Sequence, residues 1–118
     1  MKRCYSLKRN KEFRYVYRRG KSKANELMVI ISARSKTPAL THIGFSASKK
    51  LGNSVVRNRI KRRLRSAFDT VFGEIKSGYN IIVIARAGIL DADFESLCAA
   101  ARSLLRRGDL LKKEENKA

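Results

Sequence analysis

The stretch KKLGNSVVRNRIKRRLR, residues 49–65, decides how the rest of the chain is organised. Eight of its residues are basic and none is acidic. A stripe of apolar residues at helical spacing begins inside it and runs on beyond it: Val56, Ile60, Leu64, Ala67 and Val71. Residues 52–54 supply a turn and an N-cap, and Gly73 is expected to end the helix in a left-handed conformation. We therefore predict one helix over residues 54–72, with an apolar face on a core and a cationic outer surface.

The cationic surface opposes the local physics of a helix. A helix N-terminus carries partial positive charge and favours carboxylates in its first turn, yet the first acid here is Asp69. Arg57–Lys61 and Arg59–Arg63 are like-charge pairs at i,i+4, each unfavourable by roughly 0.2–0.5 kcal/mol. A solvated surface normally mixes both signs of charge. The pattern therefore indicates a polyanionic partner.

Composition extends this conclusion to the whole chain. The 118 residues carry a net charge of +18 with a sequence pI of about 10.7, and 43% of them are hydrophobic. That size fits one RNA-binding domain over residues 1–118, with residues 112–118 as a frayed tail. The sequence has no apolar run near the ~20 residues of a membrane span and no signal-peptide pattern, so we expect a cytoplasmic protein with no membrane partner. No obligate protein partner is evident.

The two cysteines, Cys4 and Cys98, lack metal-ligand spacing and suit a reducing compartment. The sequence shows no glycine-rich phosphate loop, no His/Cys cluster and no nucleophile elbow. The sole histidine, His42, has no acid–base partner beside it in sequence, so we interpret it as a strand-surface residue. We expect no catalytic residue and no protein-held metal.

A second basic cluster fills residues 1–23 and contains a predicted helix between an N-cap at Asn10 and a stop at Gly20. Phe13, Val16 and Tyr17 share one face at i, i+3 and i+4. Two interpretations stay open at this point. The rings dock the helix on the core, or they stack on unpaired bases while neighbouring cations follow the phosphates.

The remaining chain alternates strands and helices. Residues 26–48 are predicted to form a β-hairpin, residues 79–85 a strand buried on both faces, and Asp91 and Asp93 open a last helix. The order helix-hairpin-helix-strand-helix gives an α/β fold (an α+β sandwich), with three helices on a mixed central sheet. If the strands at Ile43 and Ile81 are parallel, the central helix connects them, and the general rule makes that crossover right-handed.

The segment Gly44–Arg65 closely resembles the signature of the protein subunit of bacterial ribonuclease P. The most specific part is Arg57-Asn58-Arg59 followed by Lys61-Arg62. Residues 7–13, Tyr17 and Gly20 also resemble the first helix of that family, and the match covers nearly the whole chain. Two positions depart from the family: Ile31 stands where an aromatic is frequent, and Tyr17 replaces a more usual Phe.

The resemblance implies a ribonucleoprotein that removes the 5′ leader from precursor tRNA. Catalysis would belong to the RNA subunit and its Mg²⁺, and the βαβ crossover would be left-handed. The implied contacts to the catalytic RNA are Lys49, Lys50, Asn53, Arg57, Asn58, Arg59, Lys61, Arg62 and Arg65. The implied contacts to the precursor-tRNA leader are Arg9, Asn10, Phe13, Arg14 and Tyr17.

Two other classes share the charge. A ribosomal protein or general RNA chaperone would not need the Arg57–Arg59 signature beside an aromatic first helix. A basic DNA-binding module would show a dimerisation seam or a repeated reading head, and neither is visible.

Overall fold

The computed structural model describes residues 10–36 and 40–112. Its helices are α1 (Asn10–Arg19), α2 (Ser54–Asp69) and α3 (Phe94–Arg107). Its strands are β1 (Lys21–Ala24), β2 (Met28–Arg34), β3 (His42–Ser46) and β4 (Tyr79–Ala85). Short 3-10 turns lie at Lys49–Leu51, Phe72–Glu74 and Ala87–Asp91.

The four strands form one mixed sheet in the order β1-β2-β4-β3. β4 pairs antiparallel with β2 and parallel with β3, where Ile43 lies opposite Ile81. The predicted class, three helices on a mixed sheet, is therefore confirmed, and α2 connects two parallel strands as expected. The left-handed sense of that crossover stays a prediction.

The predicted hairpin over residues 26–48 is wrong. β2 and β3 do not pair, because β4 lies between them. The connection from β2 to β3 passes the start of β4, where Ser35 N–H donates to the Gly78 carbonyl at 2.8 Å and Gly78 N–H donates to the Leu40 carbonyl at 3.0 Å. The physical reason is that β4 is apolar on both faces. Such a strand can bury both faces only when it lies in the interior of a covered sheet.

The hairpin of this fold is β1–β2, and no residue pattern predicted β1. Lys21-Ser22-Lys23-Ala24 has no apolar alternation and little β-propensity. It becomes a strand by pairing with β2, from Lys21 opposite Ser32 to Ala24 opposite Val29. Exposed lysines on an edge strand also discourage pairing with another chain.

The sheet has a helix layer on each face. On one face the side chains of Ile30, Ile81 and Val83 pack with those of α2 and α3 in the main core. On the other face Ile82 packs with Val16 of α1, and Ile31, Ala33 and Ile84 border this smaller cluster. The alternation of strand side chains thus separates a large two-helix core from a small one-helix core.

The helix ends follow local hydrogen bonding. α2 ends at Asp69 rather than Phe72, since the Thr70 hydroxyl donates to the Ala67 carbonyl at 2.6 Å and the chain tightens into a 3-10 turn. Gly73 does not adopt the left-handed conformation expected of it, because it lies inside that turn. Of the two acids predicted to open α3, Asp93 caps the helix and Asp91 ends the preceding 3-10 turn. α1 ends at Arg19 before Gly20, as predicted.

Within residues 10–36 and 40–112, no helix combines the length and the apolar character needed to cross a membrane.

Candidate nucleic-acid interface

The start of α2 is fixed by a glycine and an asparagine. Gly52 has φ of 147°, and a Cβ there would lie 2.9 Å from the Cβ of Val56, so only glycine fits without strain. Asn53 is the N-cap, and its Oδ1 accepts from the N–H of Val56 at 3.0 Å. Of the residues assigned to RNA by resemblance, Asn53 thus has a structural role of its own.

The residues assigned to the catalytic RNA lie together on this cap and on α2. We call them the α2 cationic face. Its exposed members are Lys49, Lys50, Asn53, Asn58, Arg59, Arg62 and Arg65, and its half-buried members are Arg57 and Lys61. The first turn of α2 contains no acid, as the sequence predicted. The arrangement presents positive charge at the helix end that already carries positive partial charge, which favours an anionic ligand.

One flank of the α2 cationic face borders the edge strand β3. Arg57, Lys61 and Arg65 follow each other at i,i+4, and the guanidinium of Arg65 lies 5.6 Å from the ring centroid of Phe45. The Nε of Arg57 is buried and has no hydrogen-bond partner among the described residues. A buried donor without a partner carries an energetic cost.

Arg63 differs from its neighbours in α2. Its Nη2 donates to the carbonyl of Ala92 at 2.6 Å and its Nη1 to the carbonyl of Ile89 at 3.5 Å. These bonds join α2 to the turn that leads into α3. Arg63 therefore joins α2 to the segment before α3, which fits its absence from the residues that the resemblance assigns to the catalytic RNA.

α1 places its aromatic residues in two different environments. Val16 is fully buried and Phe13 is partly buried against the small cluster under α1. Tyr17 is 50% exposed although it shares the face of Phe13. Arg14 is also exposed. Val16 and Phe13 thus dock the helix, and on their side of α1 Tyr17 is the ring left available to a ligand.

Two of the predicted leader-binding residues are described only in part or not at all. Arg9 lies outside the described residues. Asn10 is the first residue of α1, and its side chain lies outside the described part of the structure.

A polar strip of β3 lies on the α1 face of the sheet. His42, Gly44 and Ser46 alternate with the core residues Ile43 and Phe45, as predicted. Next to this strip, Asn80 of β4 lies opposite His42 and is only 6% exposed. The His42 Nδ1 and the Asn80 Oδ1 are both buried without hydrogen-bond partners within the described ranges.

The acids described in most detail have structural roles. A bidentate contact with Arg102 lowers the pKa of Glu74, with Nη1–Oε1 at 2.7 Å and Nη2–Oε2 at 3.0 Å. Hydrogen bonding from the N–H of Ser96 lowers the pKa of the Asp93 carboxyl. A general acid needs a raised pKa, so neither carboxyl suits that task at neutral pH. Among residues 10–36 and 40–112, no three His, Cys, Asp or Glu side chains are grouped to hold a metal.

Comparison with known proteins gives this geometry a context. The family model described as "Ribonuclease P" matches residues 1–109. The ribonuclease P protein component of Symbiobacterium thermophilum is 41% identical over 114 residues, covering 97% of this chain and 99% of the relative. That of Listeria innocua is 38% identical, covering 98% of both chains.

Solved structures agree with the sequence relatives. The RNase P protein of Staphylococcus aureus superposes with a TM-score of 0.82 at 33% identity, covering 92% of this chain and 98% of that one. The RNase P protein of Thermotoga maritima gives a TM-score of 0.78 at 27% identity, covering 86% and 96%. The chain therefore belongs to the ribonuclease P family, as one of the protein components of this tRNA-processing ribonucleoprotein endoribonuclease.

Proposed function

We propose that this chain binds the catalytic RNA of ribonuclease P through the α2 cationic face and the 5′ leader of precursor tRNA through α1. In this role it assists removal of the leader by the RNA subunit. The observation that supports the first contact most directly is the fixed start of α2. The Gly52–Asn53 cap fixes the start of α2, and exposed Arg59 and Arg62 lie in the second and third turns of that helix.

The α2 cationic face suits a structured RNA. Its charge is spread over about three turns of one rigid helix, which matches a backbone held in a fixed shape. Arginine also binds phosphate through two parallel hydrogen bonds, which gives each contact a direction. Each phosphate neutralised in this way releases counterions, so the contact is strong at low salt and weak at high salt.

The exposed part of α1 suits a single strand. Tyr17 offers a ring face, with the exposed cations Arg14 and Arg18 on the same helix. Unpaired bases stack on such rings, and neighbouring cations follow the phosphates. The polar strip of His42 and Ser46 lies on the same face of the sheet as α1, so a strand passing Tyr17 would meet hydrogen-bonding groups there.

The protein contributes positioning and charge rather than bond breaking. Among residues 10–36 and 40–112, no three His, Cys, Asp or Glu side chains are grouped to hold a metal. In this proposal Mg²⁺ belongs to the RNA subunit. The cations of this chain lower the repulsion between the catalytic RNA and precursor tRNA. They also extend the substrate-binding surface beyond the mature tRNA to the leader.

Reconstitution tests this function. The chain is mixed with the cognate RNA subunit and precursor tRNA at low Mg²⁺, and cleavage at the 5′ end is followed. We expect cleavage only when both subunits are present, and none from the protein alone with Mg²⁺. Cleavage by the protein alone would overturn the assignment of chemistry to RNA. Equal stimulation of unrelated ribozymes would instead indicate a general RNA chaperone.

A further inference from the structure

A concave, positively charged surface lies away from both of the surfaces proposed above. It is a groove of about 210 Å³ between β1 and the C-terminal end of α3. Lys21, Lys23 and Arg107 line its rim, and Ile30, Leu104 and Leu110 lie beneath it. We call it the β1–α3 groove. At about 30 Å³ for each water molecule, its volume corresponds to about seven waters, which is room for one phosphodiester group and part of its sugar.

The outer edge of β1 adds backbone donors to this groove. Asn25 N–H donates to the Met28 carbonyl at 3.0 Å, which closes the β1–β2 hairpin. In an antiparallel ladder the bonded residues alternate, so Lys23 and Lys21 are bonded to β2 while Ser22 and Ala24 direct their N–H and C=O groups outward. The structure agrees, because Arg107 Nη1 donates to the outward carbonyl of Ala24 at 3.3 Å. Outward N–H groups and three cations thus meet at one concave edge.

Simpler roles explain only part of this arrangement. Edge lysines discourage strand pairing, and arginines at a helix C-terminus stabilise the helix dipole. Neither role requires the two lysines and an arginine from another element to line one concavity. The acid of the groove, Asp109, has an exposed side chain that pairs with Lys76 at 3.1 Å. The three rim cations therefore exceed the negative charge that the groove itself supplies.

The groove is remote from the other two surfaces. β1 and β3 are the opposite edges of the sheet, three strand spacings or about 14 Å apart. α1 packs on the other face of the sheet from α3. An RNA segment held by α2 along β3, or by Tyr17 on α1, cannot use the same phosphates to fill the β1–α3 groove.

We propose that the β1–α3 groove binds the backbone of a single RNA strand, as a third contact beyond the two of the proposed function. Lys21 and Lys23 bind phosphate oxygens, the N–H groups of Ser22 and Ala24 donate to the same or the next phosphate, and Arg107 fixes the rim. The chain then holds RNA at both edges of its sheet.

A local binding measurement tests the groove. The full chain, labelled with ¹⁵N, is titrated at low salt with a five-nucleotide oligouridylate, and backbone amide shifts are followed. We expect saturable shifts at Ser22, Ala24 and Arg107. These shifts should disappear in a Lys21→Ala/Lys23→Ala variant and persist in Lys21→Arg/Lys23→Arg, which keeps the charge. Lys36→Ala, an exposed lysine outside the groove, should leave them unchanged.

The salt dependence gives a second measure. Two phosphate contacts on a single strand contribute about 0.7 each to the log–log salt slope, so the alanine pair should make the slope at the groove shallower by about 1.4. The proposed binding site is overturned if the Ser22 and Ala24 amides do not shift. It is also overturned if their shifts persist in the Lys21→Ala/Lys23→Ala variant. If those amides move while Tyr17 and its neighbours in α1 stay still, the groove stands and the leader contact of the proposed function fails.

Discussion

The Nη2 of Arg63 donates to the carbonyl of Ala92 at 2.6 Å and so joins α2 to the turn before α3. Its neighbour Arg62 is exposed and belongs to the α2 cationic face. The two arginines are adjacent in one basic run, but Arg63 contacts another segment of the protein whereas Arg62 is exposed to solvent. The pair is a natural contrast for separating stability from RNA binding.

Arg63→Ala should lower the free energy of unfolding by about 1–3 kcal/mol, because a charged donor is lost from two carbonyls at a helix junction. Arg62→Ala should change stability by less than about 0.5 kcal/mol. Affinity for the RNA subunit should show the reverse order, with Arg62→Ala or Arg59→Ala making the log–log salt slope shallower by about 0.7–0.9. Chemical denaturation and filter binding measure the two effects. Equal loss of stability in Arg62→Ala would contradict the division.

Tyr17 and Tyr15 form a second matched pair, with exposures of 50% and 53% on the same helix. Tyr17→Ala should weaken precursor tRNA binding by about 1–3 kcal/mol, the cost of one lost stacking contact, and leave mature tRNA binding unchanged. Tyr15→Ala should change neither. Affinities of the holoenzyme for both tRNAs at fixed salt decide the matter.

Phe13→Ala is expected to weaken precursor tRNA binding as well, with assembly on the RNA subunit left intact. Because Phe13 is partly buried against the cluster under α1, its truncation should also cost stability. If it lowers the affinity for mature and precursor tRNA equally, Phe13 has a packing role alone. In that case the proposed contact to the leader depends on Tyr17 and not on Phe13.

Substitutions at Asn53 test whether this residue is both the N-cap of α2 and a contact to RNA. Asn53→Ala should cost about 0.5–2 kcal/mol of stability because the Val56 N–H loses its partner. Asn53→Asp keeps the cap and places a carboxylate where the helix dipole favours it, so stability should be retained or increased. The added negative charge should nevertheless weaken binding to the RNA subunit. Unchanged affinity in Asn53→Asp would remove Asn53 from the interface.

Net charge makes stability depend on anions. The chain carries +18, and self-repulsion of that size destabilises the compact state. Sulfate, phosphate or nucleotides that bind the folded form should raise the thermal midpoint in proportion to the logarithm of their concentration once sites are filled. Chloride at the same ionic strength is the control. Midpoints that stay flat across anion concentrations would argue against specific anion sites.

Sequence reasoning succeeded where one local pattern determines the structure. The apolar stripe through Ile60 and Leu64 located α2, and the carboxylate of Asp93 located the start of α3. It failed where the partner of a segment lies far along the chain. Lys21–Ala24 is a strand only because β2 lies beside it, and β2 and β3 are separated by a strand that comes more than thirty residues later.

The same distinction, between local patterns and distant partners, applies to the residues of the candidate site. The basic run and the aromatic first helix could be identified from residue type and spacing. The division of labour within them could not, because it depends on burial and on tertiary partners. Arg63 points inward and Phe13 is partly buried, whereas Arg62 and Tyr17 are exposed. Lys21 and Lys23 are recognisable from sequence only as members of a basic cluster, since the groove they line is built from two distant segments.

The central position of β4 also governs the order in which the protein can be made. β2 and β3 bond to β4 rather than to each other, so the sheet closes only after residue 85 has left the ribosome. Until then a nascent chain carries the basic α2 segment and two apolar strands that lack their shared neighbour. Synthesis of the α2 cationic face therefore precedes synthesis of the strand that completes its scaffold. If this face binds RNA as proposed, the native binding surface forms only after β4 has been made.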